Sequence, residues 1–244
     1  YEILSGLVGS EMCIRDRYIK ALNTIANSDE FDINMIVTPG VTIADHLSIV
    51  NKAIEVAEDR GDTFVIVDPV IYGSSVSAAT AAVANSGITS NYVGTYYPWV
   101  KTIDTNTNKL TTVPPSTLLP AVYASNDRLA AEWFAPAGLN RGGITGAVSV
   151  LNRLTHSERD TLYENKVNPI AAFPGQGIVA FGQKTLQDKA SALDRINVRR
   201  LLINLKKFVA STSRFLVFEQ NTSTTRQRFL NTVNPYLESV VQRQ

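Results

Sequence analysis

The apolar run TFVIVDPV, residues 63–70, constrains the fold of this chain more than any other segment. A short, continuous run rich in β-branched residues is typical of a strand buried on both faces of a parallel sheet. A strand before it is predicted in residues 31–41, where apolar residues alternate up to Pro39 and Gly40. Another is predicted in SNYVGTYYPWVKTID, residues 90–104.

Helices are predicted between these strands. After the first strand, Thr42 is placed to cap a helix with apolar residues at helical spacing, and Gly61 is placed to stop it. After the second strand, the alanine-rich segment 75–86 ends at Gly87. Two strand–helix–strand units in succession favour an α/β fold with a doubly wound, mostly parallel sheet and right-handed crossovers.

The second half of the chain is less regular, and we place a soft domain boundary between residues 145 and 155. In this interpretation residues 18–148 form the α/β domain and residues 149–244 form a smaller α+β domain. Residues 104–120 are polar and contain prolines, which predicts a surface loop or hairpin. Residues 121–143 are expected to hold a short strand, a helical turn and an exposed stretch.

The second domain begins with a clear helix signal. Thr155 and Glu158 have the spacing of a capping box. Residues 196–209 have an apolar stripe that predicts an amphipathic helix. The remaining elements are strands over residues 177–186 and 214–221, and a final helix from about Thr224 that Pro235 is expected to kink or split.

The first 17 residues, YEILSGLVGSEMCIRDR, are set apart from the rest of the chain. They show no strong helical or alternating pattern and run abruptly into a well-patterned segment at Tyr18. The piece SGLVGSEMCIRDR resembles a translated sequencing-adapter remnant, and a signal peptide would need a charged n-region and a longer apolar part. We therefore interpret residues 1–17 as a non-native tail, which also contains the only cysteine, Cys13.

Composition excludes several functional classes. A net charge of +1 gives no bulk electrostatic reason to expect nucleic acid or an anionic membrane as a partner. A single cysteine excludes an intrachain disulfide, and His, Cys, Asp and Glu do not occur at metal-ligand spacing. FPGQGI has its two glycines before a strand instead of between a strand and a helix, which argues against dinucleotide binding. YGSSVSA joins a strand to a helix, but without further glycines or a lysine it is only a weak signal for anion binding. We expect neither a metal nor a cofactor.

Catalytic chemistry would have to use one of two histidines, His46 and His156. Asp68 is the natural carboxylate, because ligands of open α/β sheets bind at the carboxyl ends of the strands. No serine lies in a nucleophile-elbow pattern. Two alternatives stay open on these residues: a hydrolase that uses His46 and Asp68, or a small-ligand-binding domain with its site after Asp68.

Two further clusters invite a functional interpretation. GTYYPWV brings together Tyr96, Tyr97 and Trp99, large rings that suit packing between domains or subunits. The predicted helix 196–209 concentrates basic side chains, for which a solvated surface, a protein partner and, least of all, nucleic acid are the candidate interpretations. These basic residues are Arg199, Arg200, Lys206 and Lys207.

Several segments together resemble the tail sheath proteins of contractile-tailed bacteriophages, the T4-like group in particular. They occur in the family's order and cover almost everything from residue 18 onward. The segments are SNYVGTYYPWVKTID, VPPSTLLPAVYASND with WFAPAGLNRGGI, LYENKVNPIAAFPGQGIVAFGQKTL, RINVRRLLINLKKFV and FLVFEQNTSTTRQRFLNTVNPYLESVV.

The resemblance implies a structural protein of the virion and no enzyme. It implies a subtilisin-like layer and a C-terminal sheath domain, here truncated, with both terminal arms missing. It further implies stacked hexameric rings around a tail tube, contraction that drives the tube through the host envelope, and assembly in the host cytoplasm. The implied partners are other sheath subunits, the tail tube protein, the baseplate and the tail terminator. Candidate tube or subunit contacts are Arg199, Arg200, Lys206, Lys207, Tyr96, Tyr97 and Trp99.

Overall fold

The computed structural model describes the backbone of residues 2–243 and the side chains of residues 14–243. It divides into two compact units, one up to Leu201 and one from Leu202 onward, which are treated separately below. The strands are β1 Met35–Thr42, β2 Phe64–Asp68, β3 Val93–Tyr97, β4 Val100–Ile103, β5 Leu110–Val113, β6 Ala147–Val150, β7 Val167–Phe173 and β8 Gly177–Ala180. The helices are α1 Glu2–Ile25, α2 Leu47–Arg60, α3 Val76–Ser86, α4 Pro115–Leu129, α5 His156–Glu164, α6 Ile196–Arg214 and α7 Ser223–Gln242.

The first unit is built on a five-stranded sheet with the order β1-β2-β3-β7-β8. Strands β1, β2, β3 and β7 run parallel, and β8 joins β7 in antiparallel register. The two predicted strand–helix–strand units are thus confirmed, and the fold is a mixed α/β fold with a parallel-rich sheet. Among the described strands the order of this sheet shows no reversal, whereas a doubly wound sheet reverses its order at a switch point.

The core of this unit lies between the sheet and the helices that connect its strands. All five residues of β2 are buried, as the continuous apolar run predicts. Helix α2 buries the stripe that includes Val50 and Ala57, and it ends at Gly61, whose φ of 68° belongs to the left-handed region that favours glycine. Helix α3 likewise ends at Gly87 with a φ of 64°. Both glycine stops are therefore confirmed.

Helix α2 begins later than expected, because Thr42 does not cap it. Thr42 is the last residue of β1, and its hydroxyl donates to the Asp45 carboxylate at 3.0 Å. The helix starts at Leu47, and His46 takes the N-cap position without a side-chain capping bond. The connection from strand to helix therefore consists of the four residues 43–46, which the sequence pattern assigns to the helix.

The segment from residue 90 to 104 enters two sheets instead of forming one strand. Strand β3 ends at Tyr97, the Tyr97–Pro98 bond is cis, and β4 begins at Val100. Strand β4 is the centre of a separate antiparallel sheet with the order β5-β4-β6. Strand β3 thus ends just before Pro98, which has no N–H to donate to a neighbouring strand.

Helix α4 replaces the loop predicted before residue 120 and the short strand predicted after it, so both predictions are wrong. Pro114 and Pro115 lie at the N-cap and first helical position, where proline costs no backbone hydrogen bond. Leu119, Val122 and Tyr123 are buried on the helix face that packs against the sheet. Prolines that suggest a loop in the sequence thus mark the start of a helix.

Helix α1 differs from the expectation that residues 1–17 lack a helical pattern, since it is continuous over Glu2–Ile25. Its second half packs on the first unit, where Leu22 is buried and Arg60 donates to the carbonyl of Ile25 at 2.6 Å. The side chains of residues 1–13, including Cys13, lie outside the described residues. The non-native origin of residues 1–17 stays a prediction.

The second unit contains the rest of α6 and helix α7. The ring of Phe208 stacks on Tyr236 with centroids 3.9 Å apart, and the Tyr236 hydroxyl bonds to Asn204. Helix α7 is continuous through Pro235, so proline does not split it. Residues 215–218 form a turn instead of the predicted strand, because a strand needs a partner for its backbone and the described residues of this unit contain no other strand.

The expected boundary after residue 148 does not coincide with the division between the two units. Strand β7 pairs with β3, so the chain returns to the main sheet after that point. The capping box at Thr155 is confirmed, since its hydroxyl accepts from Glu158 N–H and the Glu158 side chain accepts in return. The predicted strand 177–186 is shorter and ends at Ala180. No described helix is long and apolar enough to cross a bilayer.

Candidate functional site

The carboxyl end of β2 is where an α/β sheet most often binds ligands, and Asp68 lies there. Its side chain is fully buried. Ser116 donates to it twice, from its backbone N–H at 3.1 Å and from its hydroxyl at 2.6 Å. Burial raises the pKa of Asp68 to about 6, against the opposing effect of hydrogen bonds from Ser116 and the Gly40 backbone. Both carboxylate oxygens thus accept hydrogen bonds from Ser116 in the first turn of α4.

The histidines do not complete a catalytic group with Asp68. The Nδ1 atom of His46 accepts a long hydrogen bond from the Thr42 N–H at 3.4 Å. His156 is exposed and pairs with Asp160 at 2.8 Å. The hydroxyl of Ser116 donates directly to Asp68, and neither histidine is placed to take its proton as in a Ser–His–Asp triad. The described residues also contain no cluster of metal-ligating side chains.

The aromatic cluster GTYYPWV braces the interior of the first unit. Tyr96 is fully buried and its hydroxyl bonds to that of Tyr123 at 2.7 Å. Tyr97 is 2% exposed and donates to the Ser74 carbonyl at 2.7 Å. The two tyrosines thus pack inside one unit, which differs from the expected packing between domains or subunits. Tyr96 and Tyr97 are wrong as candidates for tube or subunit contacts, because they have no surface to offer.

Trp99 holds an intermediate position in the same cluster. Its indole N–H donates to the Val70 carbonyl at 2.9 Å, and its ring meets the exposed Tyr72 edge to face at 6.0 Å. The ring is half-buried, so part of it reaches the surface. Trp99 therefore remains a candidate contact residue, whereas its tyrosine neighbours do not.

Two of the four proposed basic residues are buried. Arg199 is 4% exposed and lies 3.7 Å above the centre of the Tyr92 ring. Arg200 is 6% exposed and makes a bidentate ion pair with Asp127, at 2.8 and 2.5 Å. Guanidinium groups stack on aromatic rings and form such forks readily, which explains their burial. The prediction that both arginines form a tube-facing surface is wrong.

Lys206 and Lys207 differ from the arginines because they belong to the second unit. Lys206 is exposed and Lys207 is half-buried. From Leu202 onward the chain has six basic and two acidic residues, a net charge of +4, whereas the residues up to Leu201 carry 17 basic and 20 acidic side chains, a net charge of −3. We call the second unit the basic helical unit. The overall charge of +1 conceals this asymmetry, which a count by segment reveals.

The basic helical unit also exposes large apolar side chains. Phe218 is fully exposed, Phe215 is 85% exposed and Val217 is 58% exposed, all in the turn between α6 and α7. Leu230, Leu237 and Val241 add an exposed stripe along α7. This surface differs from the strand predicted over residues 214–221, in which these side chains would alternate between two faces. A surface that combines cations and large apolar groups is suited to contact with another protein.

Comparison with known proteins identifies the relatives of this chain. Residues 16–186 match the family model described as the phage tail sheath protein central domain. The tail sheath protein of Vibrio phage KVP40 is 39% identical over 128 residues, which are 52% of this chain and 19% of that protein. The tail sheath protein of Enterobacteria phage T4 is 27% identical over 242 residues, which cover 90% of this chain and 36% of that protein. The chain thus spans about a third or less of these relatives.

Solved structures agree with the sequence matches. The contracted sheath complex of the extracellular contractile injection system PVC has a TM-score of 0.73 at 25% identity, over 87% of this chain and 56% of that chain. The contracted baseplate of the anti-feeding prophage has a TM-score of 0.73 at 26% identity, over 91% and 61%. The sheath tail protein of Desulfitobacterium hafniense shares the fold with a TM-score of 0.63 at 17% identity, over 92% and 48%.

Proposed function

The chain belongs to the phage tail sheath protein family, and on that basis we propose that it is a structural subunit of a contractile tail sheath. The match of residues 16–186 to the central domain of that family carries the proposal. The family is a structural one, and the buried Asp68–Ser116 contact fits a structural role for Asp68, which lies where an α/β sheet would bind a ligand. Asp68 and His46 therefore serve the fold.

The proposed action is mechanical. Subunits stack as hexameric rings around a tail tube, in a virion that is assembled in the host cytoplasm, and contraction drives the tube through the host envelope. Repeated heterologous contacts between identical subunits generate an open helix, and two packings of such contacts can differ in free energy. Partners are other sheath subunits, the tube, the baseplate and the terminator. The parallel-rich sheet is the subtilisin-like layer of the subunit, and the basic helical unit belongs to its C-terminal sheath domain.

The basic helical unit is the proposed contact surface for the tube. Its net charge of +4 and its exposed Lys206 supply positive charge, and the turn at Phe215 and Phe218 supplies apolar area. A tube whose outer surface is acidic would be held in register by this arrangement, since charge complementarity fixes orientation. Arg199 and Arg200 take no part, because they are buried in the first unit.

Charge reversal tests this assignment in the gene product that carries the chain. We expect K206E/K207E to reduce the coating of tail tubes, with the largest deficit at low salt, where the charges are least screened. The matched control is K109E/K189E, which reverses two exposed lysines of the first unit and leaves tube coating unchanged. Cosedimentation with tubes at two salt concentrations measures both. Equal coating by the two double variants would refute the tube contact.

A serine-reactive probe tests the structural assignment independently. A fluorophosphonate should leave the folded protein unlabelled, because the hydroxyl of Ser116 is buried and donates to Asp68. Stoichiometric labelling of the parent that is lost in S116A would identify a hydrolase and overturn the proposed function.

A further inference from the structure

The N-terminus of helix α4 has no capping side chain from its own N-cap residue, and Asp68 at the end of strand β2 takes that role. The N-cap residue is Pro114, which makes no side-chain capping bond, and Pro115 at the first helical position has no N–H. Ser116 therefore has the first free N–H of the helix, and it donates to the Asp68 carboxylate at 3.1 Å. A carboxylate at this position also faces the positive end of the helix dipole. Asp68 thus ties the start of α4 to the end of β2.

The Asp68 carboxylate is buried without a cation beside it. None of the ion pairs formed by described residues includes Asp68, and its hydrogen-bond donors are neutral groups of Ser116 and Gly40. Other ionisable groups on the surrounding elements are engaged elsewhere. In the loop after β1, the Asp45 carboxylate accepts from the Thr42 hydroxyl, and His46 accepts from the Thr42 N–H. The hydroxyl of Tyr96 on β3 bonds to that of Tyr123 on α4. A lone buried carboxylate is costly to keep charged.

We propose that Asp68 is a proton-sensitive anchor of α4, and that uptake of one proton by this carboxyl stabilises the packing of α4 on the sheet. The geometry allows the anchor to survive protonation. One oxygen continues to accept from the Ser116 N–H. The other, once protonated, donates to the Ser116 hydroxyl, whose own hydrogen turns away. The charge is removed while both contacts remain.

The sign of the pH effect follows from the direction of the shift. Burial raises the pKa of Asp68 from 3.8 to about 6 in the folded state, so the folded protein binds more protons than the unfolded chain between these values. Stability therefore rises as pH falls from 7 through 6 towards 4. From pH 7.5 to pH 5 the Asp68 contribution amounts to an increase of about tenfold in the folding equilibrium constant.

Urea denaturation of the parent and of D68N at pH 7.5 and pH 5 tests the anchor. Asn keeps the shape and the acceptor oxygen but cannot ionise. We expect the ratio of folding constants, parent over D68N, to rise by about tenfold on acidification. The control D59N removes an exposed carboxylate of α2 and should keep the pH dependence of the parent. An unchanged ratio for D68N would overturn the proposal.

Two readouts on the parent keep the test valid if D68N folds poorly. A carbon-detected NMR titration of the Asp68 carboxyl should give an apparent pKa near 6. Hydrogen exchange at the Ser116 amide, corrected for intrinsic rate, should slow as pH falls towards 5. A carboxyl that titrates at or below 4, or exchange that speeds up, would refute the anchor.

Discussion

Variants that break the ion pair between Arg200 and Asp127 test whether the start of α6 is buried in the first unit. The two side chains are unequal in exposure, at 7% for Arg200 and 26% for Asp127. Arg200 also lies 4.8 Å from the centre of the Tyr123 ring. Breaking a buried ion pair from one side strands the partner charge and costs about 3–5 kcal/mol. The cost should therefore depend on which partner is removed.

The structure predicts an asymmetry between the two single variants. D127A leaves the more buried guanidinium without its carboxylate, and we expect the free energy of unfolding to fall by about 3 kcal/mol. R200M leaves the more exposed carboxylate, which water can reach, while the Met side chain still packs on Tyr123. For R200M we expect the free energy of unfolding to fall by about 1–2 kcal/mol. The double variant R200M/D127A should lose less than the sum of the two.

Urea denaturation at fixed pH measures these losses, with the slope of the transition checked for constancy. The matched control is K52M, which breaks the exposed pair of Lys52 and Glu55 on α2, 3.0 Å apart. An exposed pair contributes about 0.5 kcal/mol or less. Losses for D127A and R200M no larger than that of K52M would show that Arg200 is solvated, and would restore it as a surface residue.

Three further predictions concern single contacts of the first unit. Y96F leaves the buried Tyr123 hydroxyl without its 2.7 Å partner, and we expect it to lower the free energy of unfolding by about 1–3 kcal/mol. The double variant Y96F/Y123F should lower it by less than the sum of the two single variants, and additive losses in this double-mutant cycle would contradict the contact. T155A removes the capping box of α5 and should cost about 1 kcal/mol, and a loss as large in E158Q, which keeps the reciprocal bond, would count against the cap. G61A places a side chain at a φ of 68° and should cost about 1 kcal/mol by urea denaturation, and a neutral result would refute the strain.

Local patterns predict the first half of the main sheet well. The run at 63–70 becomes the fully buried β2, and Gly61 and Gly87 end α2 and α3 as their backbone freedom suggests. These features depend on neighbours within a few residues. The capping box at Thr155 is of the same kind.

The parts that sequence reasoning misses depend on contacts between distant residues. Helix α4 is stabilised by burial of Leu119 and Tyr123 against the sheet, which outweighs the loop signal of its prolines. Arg199 and Arg200 look like a solvated basic pair until the rings of Tyr92 and Tyr123 are seen beneath them. These arginine–tyrosine contacts join residues far apart in the chain, so no periodic pattern in the sequence predicts them. The basic helical unit, in contrast, could have been found by counting charges along the chain.

We propose that the protein acts by contacting copies of itself and a tail tube. Electron cryo-microscopy of the complete gene product that carries this chain, produced together with its tail tube protein, tests that claim most directly. We expect tubes coated by a helical array of subunits, with the basic helical unit facing the tube. Folded protein that stays dispersed beside bare tubes would contradict it.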